Sequence, residues 1–576
     1  MNKDIPSTIK NSDERSGDIL SHVIGRRAFL QGAAAVVAYK ALGAARAWAD
    51  DGLGNIKVGV ADAVTPTPGV AQPSLIDPDF AVRFVVRGTD PIENPSGVIT
   101  TFGKLANGTH TEPDQNTFIV FAKSPGGPTP GYNYGHRFLY QGHENAGDLA
   151  FFTRINLDVT DPAHRITLLT PVNPATGLTN LNRIDGSTYD PFTNTLLFTE
   201  ENSVGVDGTG NVIQLTTSWP PVLTKLGAFF GLGGWEGIHP DDEGNIYLQE
   251  DIGGVTAPAN TLATVDGVPN VTLQRARQPN SFVYRYIPKN PRRLEDGGKL
   301  QALQVIIDGS PVTFHANDVI GDIIAPAQLK LHTPGTTWSI KWITIHESKA
   351  GDTTPFVATT AAKAAGATPF KRPENMAWLP GSKFRTFFFT ATGDTDAPTG
   401  RVPQLAARGA WGAIFRVDLR DDDHHRGHGD HDGHGDRDDR AEGKKADHGT
   451  ISILVLGDQD HTSFDNLAFA NDRQLLAAED RGDTLHQQLQ KFDSVWAFDV
   501  KNGRGVRFIA LGRDATSAAA GNDNNEPTGV FVSNGSPRED GLLGTEESLD
   551  DARGFFTQQH GDGSVFEFFR VKKRRD

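Results

Sequence analysis

Acidic residues recur along this chain at a spacing that places them in pairs at one end of a β-hairpin. Asp185-Gly186 leads through a strand-like run and the turn Asp190-Pro191-Phe192-Thr193-Asn194 into Leu196-Leu197-Phe198, ending at Glu200, a spacing of 15 residues. Glu236 to Asp251 and Asp465 to Asp480 repeat the spacing of 15, and Glu374 to Asp394 spans 20 because its returning strand is longer. In a two-stranded antiparallel pair the first and last residues lie side by side, so both acids emerge at the same end. Carboxylates gathered in this way resist joint ionisation unless a cation sits among them. Oxygen-only ligand sets favour hard ions: Ca²⁺, Mg²⁺, Mn²⁺ or ferric iron. The acid-bearing hairpin ends are His143-Glu144, Glu200-Glu201-Asn202, Trp235-Glu236, Glu250-Asp251, Pro373-Glu374, Asp465-Asn466, Glu479-Asp480 and Asn525-Glu526. Taken singly, each acid also fits an exposed turn; the recurrence is what points to metal.

Such hairpins need a scaffold that repeats. Beyond residue 110 the chain is dominated by short β-branched and aromatic runs, among them Phe118 to Ala122, Phe282 to Ile287, Phe384 to Thr390, Val495 to Val500 and Val565 to Val571, mostly separated by turn residues. An Ala-rich helical stretch from Thr359 to Ala365, stopped by Gly366, is the exception. The acid-bounded hairpins begin at 185, 236, 374 and 465, intervals compatible with blades of about 45 residues and insertions. The expected fold is all-β, a β-propeller of about six blades with loop insertions, its acids aimed at a shared axis. The His- and Asp-rich segment Asp421 to His448 has no apolar side chain larger than Ala. It cannot pack a core and reads as a solvated insertion within a blade.

Composition narrows the chemistry. The chain has 576 residues and a net charge of -16, which disfavours nucleic acid as a partner. It has no cysteine, which removes disulfides, thiolate metal sites and a cysteine nucleophile and leaves carboxylates and histidines for metal chemistry. No G-x-S-x-G elbow, Walker loop or H-E-x-x-H helix is found. Residues 1–49 carry Arg26-Arg27, a short apolar stretch from Gly32 to Ala45, and Ala47-Trp48-Ala49. These features read as a twin-arginine export signal. The expected partner is then the twin-arginine export machinery. The expected mature chain, 50–576, is one propeller domain, periplasmic or secreted, with no integral membrane segment.

Gln141-Gly142-His143-Glu144, Leu197-Phe198-Thr199-Glu200-Glu201-Asn202, Trp235-Glu236-Gly237, Phe370-Lys371-Arg372-Pro373-Glu374 and Phe464-Asp465-Asn466-Leu467-Ala468-Phe469 together resemble the PhoX-type alkaline phosphatases, over roughly residues 110 to 535. The resemblance implies an exported propeller that hydrolyses phosphomonoesters with a carboxylate-held cluster of iron and calcium. Carried over by motif, Glu144, Glu200 with Glu201, Glu236, Glu374, Asp465 and Glu526 are the metal-ligand candidates, and Arg372 a candidate for meeting the substrate anion. The family places a Cys before Glu-Glu-Asn where this chain has Thr199. A hydroxyl is a far poorer ligand than a thiolate at neutral pH, so calcium is the expected metal and iron the weaker alternative. Two other readings fit an acid-lined propeller: a non-catalytic scaffold stabilised by calcium, and a calcium-dependent lactonase.

Overall fold

The computed structural model describes residues 53–202, 208–259, 264–421, 445–520, 525–538 and 549–571. Residues 1–49, expected to be an export signal, and the interior of the His- and Asp-rich insertion lie outside the described residues. The chain forms a β-propeller whose blades are antiparallel meanders. Blade I comprises Pro113–Val120, Arg137–His143, Phe151–Asn156 and Ile166–Leu168. Blade II comprises Ile184–Asp190, Thr195–Glu200, Val212–Thr216 and Leu223–Lys225. Blade III is built from Trp235–Pro240, Ile246–Glu250, Val283–Pro288 and Gly297–Ile307. Blade IV is built from Pro373–Trp378, Thr386–Ala391, Ala413–Asp421 and Lys445–Leu456. Blade V contains Phe464–Asn471, Gln474–Glu479, Ser494–Asp499 and Gly505–Ala510. Blade VI contains Pro527–Ser533, Arg553–Gln558 and Ser564–Arg570. The first strand of each blade packs against the first strand of the next, and VI closes on I.

Two features depart from independent, equal blades. Blades III and IV are fused into one ten-stranded sheet, because Thr337–Lys349 pairs with the outer strand of III on one side and of IV on the other. The ring is also closed by the chain's beginning: Phe80–Val86 is the outer strand of blade VI, and Leu75–Ile76 adds an edge to blade V. The His- and Asp-rich insertion falls inside blade IV, whose third and fourth strands pair through to Asp421 and Lys445. Hydrophobic clusters lie between neighbouring blades. One joins Phe118, Leu139 and Phe531 across blades VI and I; another joins Phe152, Phe198 and Ile213 across I and II. Pleat alternation in these strands puts apolar side chains on both faces, since each blade is covered by two others.

Outside the blades, long connections between second and third strands fold over one side of the ring. Those of blades III, IV and V contribute Arg275, Asp396 and Gln488. Arg275 pairs with Asp396, Nε to Oδ2 at 3.0 Å, and Gln488 Nε2 donates to Asp396 Oδ1 at 3.1 Å. A small separate core of Val268, Leu273, Ile323, Ile324 and Leu405 stabilises this cap. Over blades I and VI the corresponding connections are short, running from Glu144 to Ala150 and from Gln559 to Gly563.

Candidate metal centre

Every blade begins with the same local geometry. The pairing of its first two strands shifts register within the first turn of the inner strand: between Pro113 and Asn116, Ile184 and Ser187, Trp235 and Ile238, Pro373 and Met376, Phe464 and Leu467, and Thr528 and Phe531. A β-bulge of this kind re-aims a side chain out of the pleat. The second residue of the inner strand is Asp114, Asp185, Glu236, Glu374 and Asp465 in blades I to V, and Thr528 in blade VI. A second repeat supports the equivalence. The residue just after the second strand donates its N–H to the carbonyl two residues before that inner acid: Glu144 to Glu112, Glu201 to Arg183, Asp251 to Gly234, Thr392 to Arg372, Asp480 to Ser463 and Gln559 to Glu526. Each blade therefore presents three equivalent slots at one end of the axis: a rim residue, an inner residue and a returning residue.

Glycine follows two of the inner acids, Asp185 and Glu236, and the inner Thr528 of blade VI, because neighbouring blades meet there. A Cβ on Gly186 would sit 2.1 Å from the carbonyl oxygen of Glu236, and one on Gly529 would sit 2.5 Å from that of Asp114. The recurring acid-Gly pairs at Asp185 and Glu236 are thus a packing requirement beside a functional side chain.

The slots bring carboxylates together in three linked groups: Asp114, Glu144 and Asp185; Asp185, Glu201 and Glu236; and Glu236, Asp251 and Glu374. Within each group one oxygen per residue lies within 4.8 Å of the others. Asp185 and Glu236 each belong to two groups, so the acids form one continuous arc from blade I to blade IV. Asp465 and Glu526 hydrogen-bond each other, and the charge of Asp114 acts on both. Burial, followed by the charges of neighbouring acids, pushes the carboxyls of Glu144, Asp185, Glu236, Glu374, Asp465 and Glu526 well above the ordinary range. Asp114 and Glu201 are pushed up to about 7, chiefly by burial. Two carboxyl–carboxyl hydrogen bonds, Glu144–Glu201 and Asp185–Glu236, each require a proton on one partner. One oxygen of Asp185 is buried without a hydrogen-bond partner. All-oxygen donor sets, crowded charge and an unsatisfied buried oxygen fit a hard divalent cation.

The structure sorts the residues singled out by sequence. Glu144, Glu201, Glu236 and Glu374 lie in the linked groups. Asp465 and Glu526 flank them on the side of blades V and VI. Glu200 is placed elsewhere: its two oxygens accept from the backbone N–H of Asn182 and of Asn211, and from Asn211 Nδ2, with Lys225 Nζ at 3.5 Å. It braces the return of blade II, and Glu201 is the acid that this stretch sends to the centre. Asp394 is also placed away from the centre, in a buried ion pair with Lys371 Nζ at 2.6 Å. Arg372 reaches the centre through Asp251, Nη2 to Oδ2 at 2.8 Å and Nε to both oxygens, and lies 3.4 Å from Glu374.

Three site residues lay beyond the sequence reading. Asp114 was hidden by the long connection, residues 121–136, that separates its strand from Glu144. The spacing marks Asp185 and Asp251 as hairpin ends without distinguishing them as ligands. Thr199 is fully buried, and its Oγ1 donates to the carbonyl of Glu236 at 2.8 Å. Thr390, at the same slot of blade IV, donates likewise to the carbonyl of Asp465 at 2.6 Å. Thr199 thus ties blade II to blade III.

Residues 270–535 match the family model described as Alkaline phosphatase PhoX. Among solved structures, Pseudomonas fluorescens PhoX in complex with vanadate, a transition state analogue, is similar in fold. Its TM-score is 0.50 at 13% sequence identity, over 89% of this chain and 98% of that one. No curated protein matches the chain. No helix among the described residues is long and apolar enough to cross a membrane. The resemblance to the PhoX-type alkaline phosphatases is therefore borne out, by sequence over residues 270–535 and by fold across the propeller, in a chain without cysteine.

Proposed function

We propose that this protein is a metal-dependent phosphomonoesterase, exported by the twin-arginine route, with its active site at the acid-lined end of the propeller axis. The observation that carries the reading is the arc of three linked carboxylate groups running from Asp114 to Glu374. Bound cations would supply Lewis-acid polarisation of the phosphoryl oxygens and neutralise charge developing on the leaving oxygen. The chain's own residues supply the framework. Asp114, Glu144, Asp185, Glu201, Glu236, Asp251 and Glu374 are the proposed ligands, with Asp465 and Glu526 completing the side toward blade VI. Arg372 fixes the orientation of Asp251, and its charge offsets part of the acid excess beside Glu374. Gln559 donates to Asp114 at 2.8 Å and to Glu144 at 3.1 Å, holding both carboxylates toward one another. Calcium is the proposed metal. Iron is disfavoured because Thr199 spends its hydroxyl on the backbone of the neighbouring blade.

That same bond favours a second reading, in which the cations serve only to lock the blades. One experiment separates these readings and the lactonase alternative. Purified protein is stripped with a chelator and assayed against an aryl phosphate and a lactone, with and without added Ca²⁺. Calcium-restored phosphate release with no lactone turnover is the expected result. Calcium-dependent thermal stabilisation with neither activity would leave the scaffold.

A further inference from the structure

We infer that Arg183 is a substrate-binding residue of this centre, its guanidinium donating hydrogen bonds to the phosphoryl oxygens of the ester. The inference rests on the phosphatase reading and goes beyond it by naming the group that meets the substrate. Arg183 and Arg372 occupy the same rim slot, in blades II and IV. Both have left-handed backbone, φ 42° and 57°, and both offer their carbonyl to the returning residue of their own blade. Blade III, between them, carries Gly234 in that slot, so the two guanidiniums bracket a gap with no side chain.

The two arginines differ in what they hold. Arg372 commits Nε and Nη2 to Asp251, and its side chain is 23% exposed. Among the described residues Arg183 makes no side-chain hydrogen bond; the nearest carboxylate there is Glu144 at 3.8 Å, and its side chain is 49% exposed. A separation of 3.8 Å is too long for a hydrogen bond, so none of the five N–H donors of the fork is taken up by a described residue. Glu144 belongs to the first linked carboxylate group, which places the fork beside the acids. The charges of both arginines also act on Glu201. The cap rises from blades III to V, while the connection of blade I beside Arg183 is short. A planar fork suits two oxygens of a tetrahedral dianion, which a lysine cannot match.

The test uses full-length, calcium-loaded protein as wild type, Arg183→Gly and Arg183→Lys. Glycine is the truncation of choice because it accepts a positive φ without strain. For each protein, inorganic phosphate binding is measured by calorimetry, aryl phosphate turnover by steady-state kinetics, and bound calcium by elemental analysis. Arg183→Gly is expected to weaken phosphate binding and raise KM by about 10- to 100-fold, with a smaller change in kcat and calcium content unchanged. Arg183→Lys is expected to recover part of the loss. Equal phosphate affinity in wild type and Arg183→Gly overturns the assignment, as does a loss of affinity that tracks a loss of calcium. Wild type that binds phosphate without turning over ester refutes the phosphatase reading, while the binding comparison still decides the role of Arg183. Loaded wild type that binds no phosphate refutes both.

Discussion

Thr199 holds two blades together beside the carboxylate arc. Its hydroxyl is buried and bonded to the carbonyl of Glu236, the residue whose carboxylate joins two of the linked groups. Replacing it by valine removes a neutral hydrogen bond and leaves a carbonyl less well satisfied. Thr199→Val should therefore lower stability by about 1 kcal/mol, read as a small fall in denaturant midpoint, while bound calcium stays constant. Loss of calcium in that variant would make Thr199 a ligand. Asp185 behaves oppositely, because it is shared by two groups and has an oxygen with no protein partner. Asp185→Asn should abolish stoichiometric metal binding and reduce phosphatase turnover by more than about 100-fold, with ligand loss as the cause. Retained metal with retained turnover would remove Asp185 from the site.

At the scale of elements, the hairpin rule placed the acids at one end of the blades, and the structure supplies the detail that spacing could not. The hairpin Ile184–Glu200 of blade II is one residue longer than Trp235–Glu250 of blade III, its returning strand having six residues against five. The equivalent returning acid of blade II is therefore Glu201, 16 residues after Asp185, while Asp251 follows Glu236 by 15. A one-residue offset reverses the face of a strand, which is why Glu200 turns away from the centre to Asn211 and Lys225. Blade IV returns a threonine, Thr392, to the slot, and its acid at 394 serves the ion pair with Lys371. Asp114 was illegible because residues 121–136 stretch the hairpin beyond any fixed spacing. The acid-Gly pairs were legible as a motif, but their cause is contact between blades. Gly186→Ala forces a Cβ to 2.1 Å from the Glu236 carbonyl. It should destabilise the protein by about 1–3 kcal/mol and weaken metal binding, since the backbone of Glu236 must shift. An unchanged melting temperature would contradict that packing.

At the scale of the molecule, closure and charge act together. The strand Phe80–Val86 completes blade VI, so truncation ahead of residue 87 should abolish cooperative folding, visible as loss of a sharp thermal transition. The acids add a pH dependence to the metal-free form. Their carboxyls hold protons more tightly folded than unfolded, and Asp114 and Glu201 are pushed up to about 7. The folded state therefore binds more protons, and stability falls as pH rises from about 4 through 7. Chelator-treated protein should melt at progressively lower temperature across that window, and added Ca²⁺ should restore most at the high-pH end, where it replaces the lost protons. A melting temperature that rises with pH in the metal-free protein would contradict the clustering of these groups.

The most direct measurement is elemental analysis of purified protein, comparing wild type with the double variant Asp185→Asn, Glu236→Gln. Acids from separate blades that jointly hold cations predict stoichiometric bound metal in the wild type, and its loss together with aryl phosphate turnover in the variant. Wild type that hydrolyses the ester while free of metal, or a folded double variant that keeps both its metal and its activity, would contradict the account.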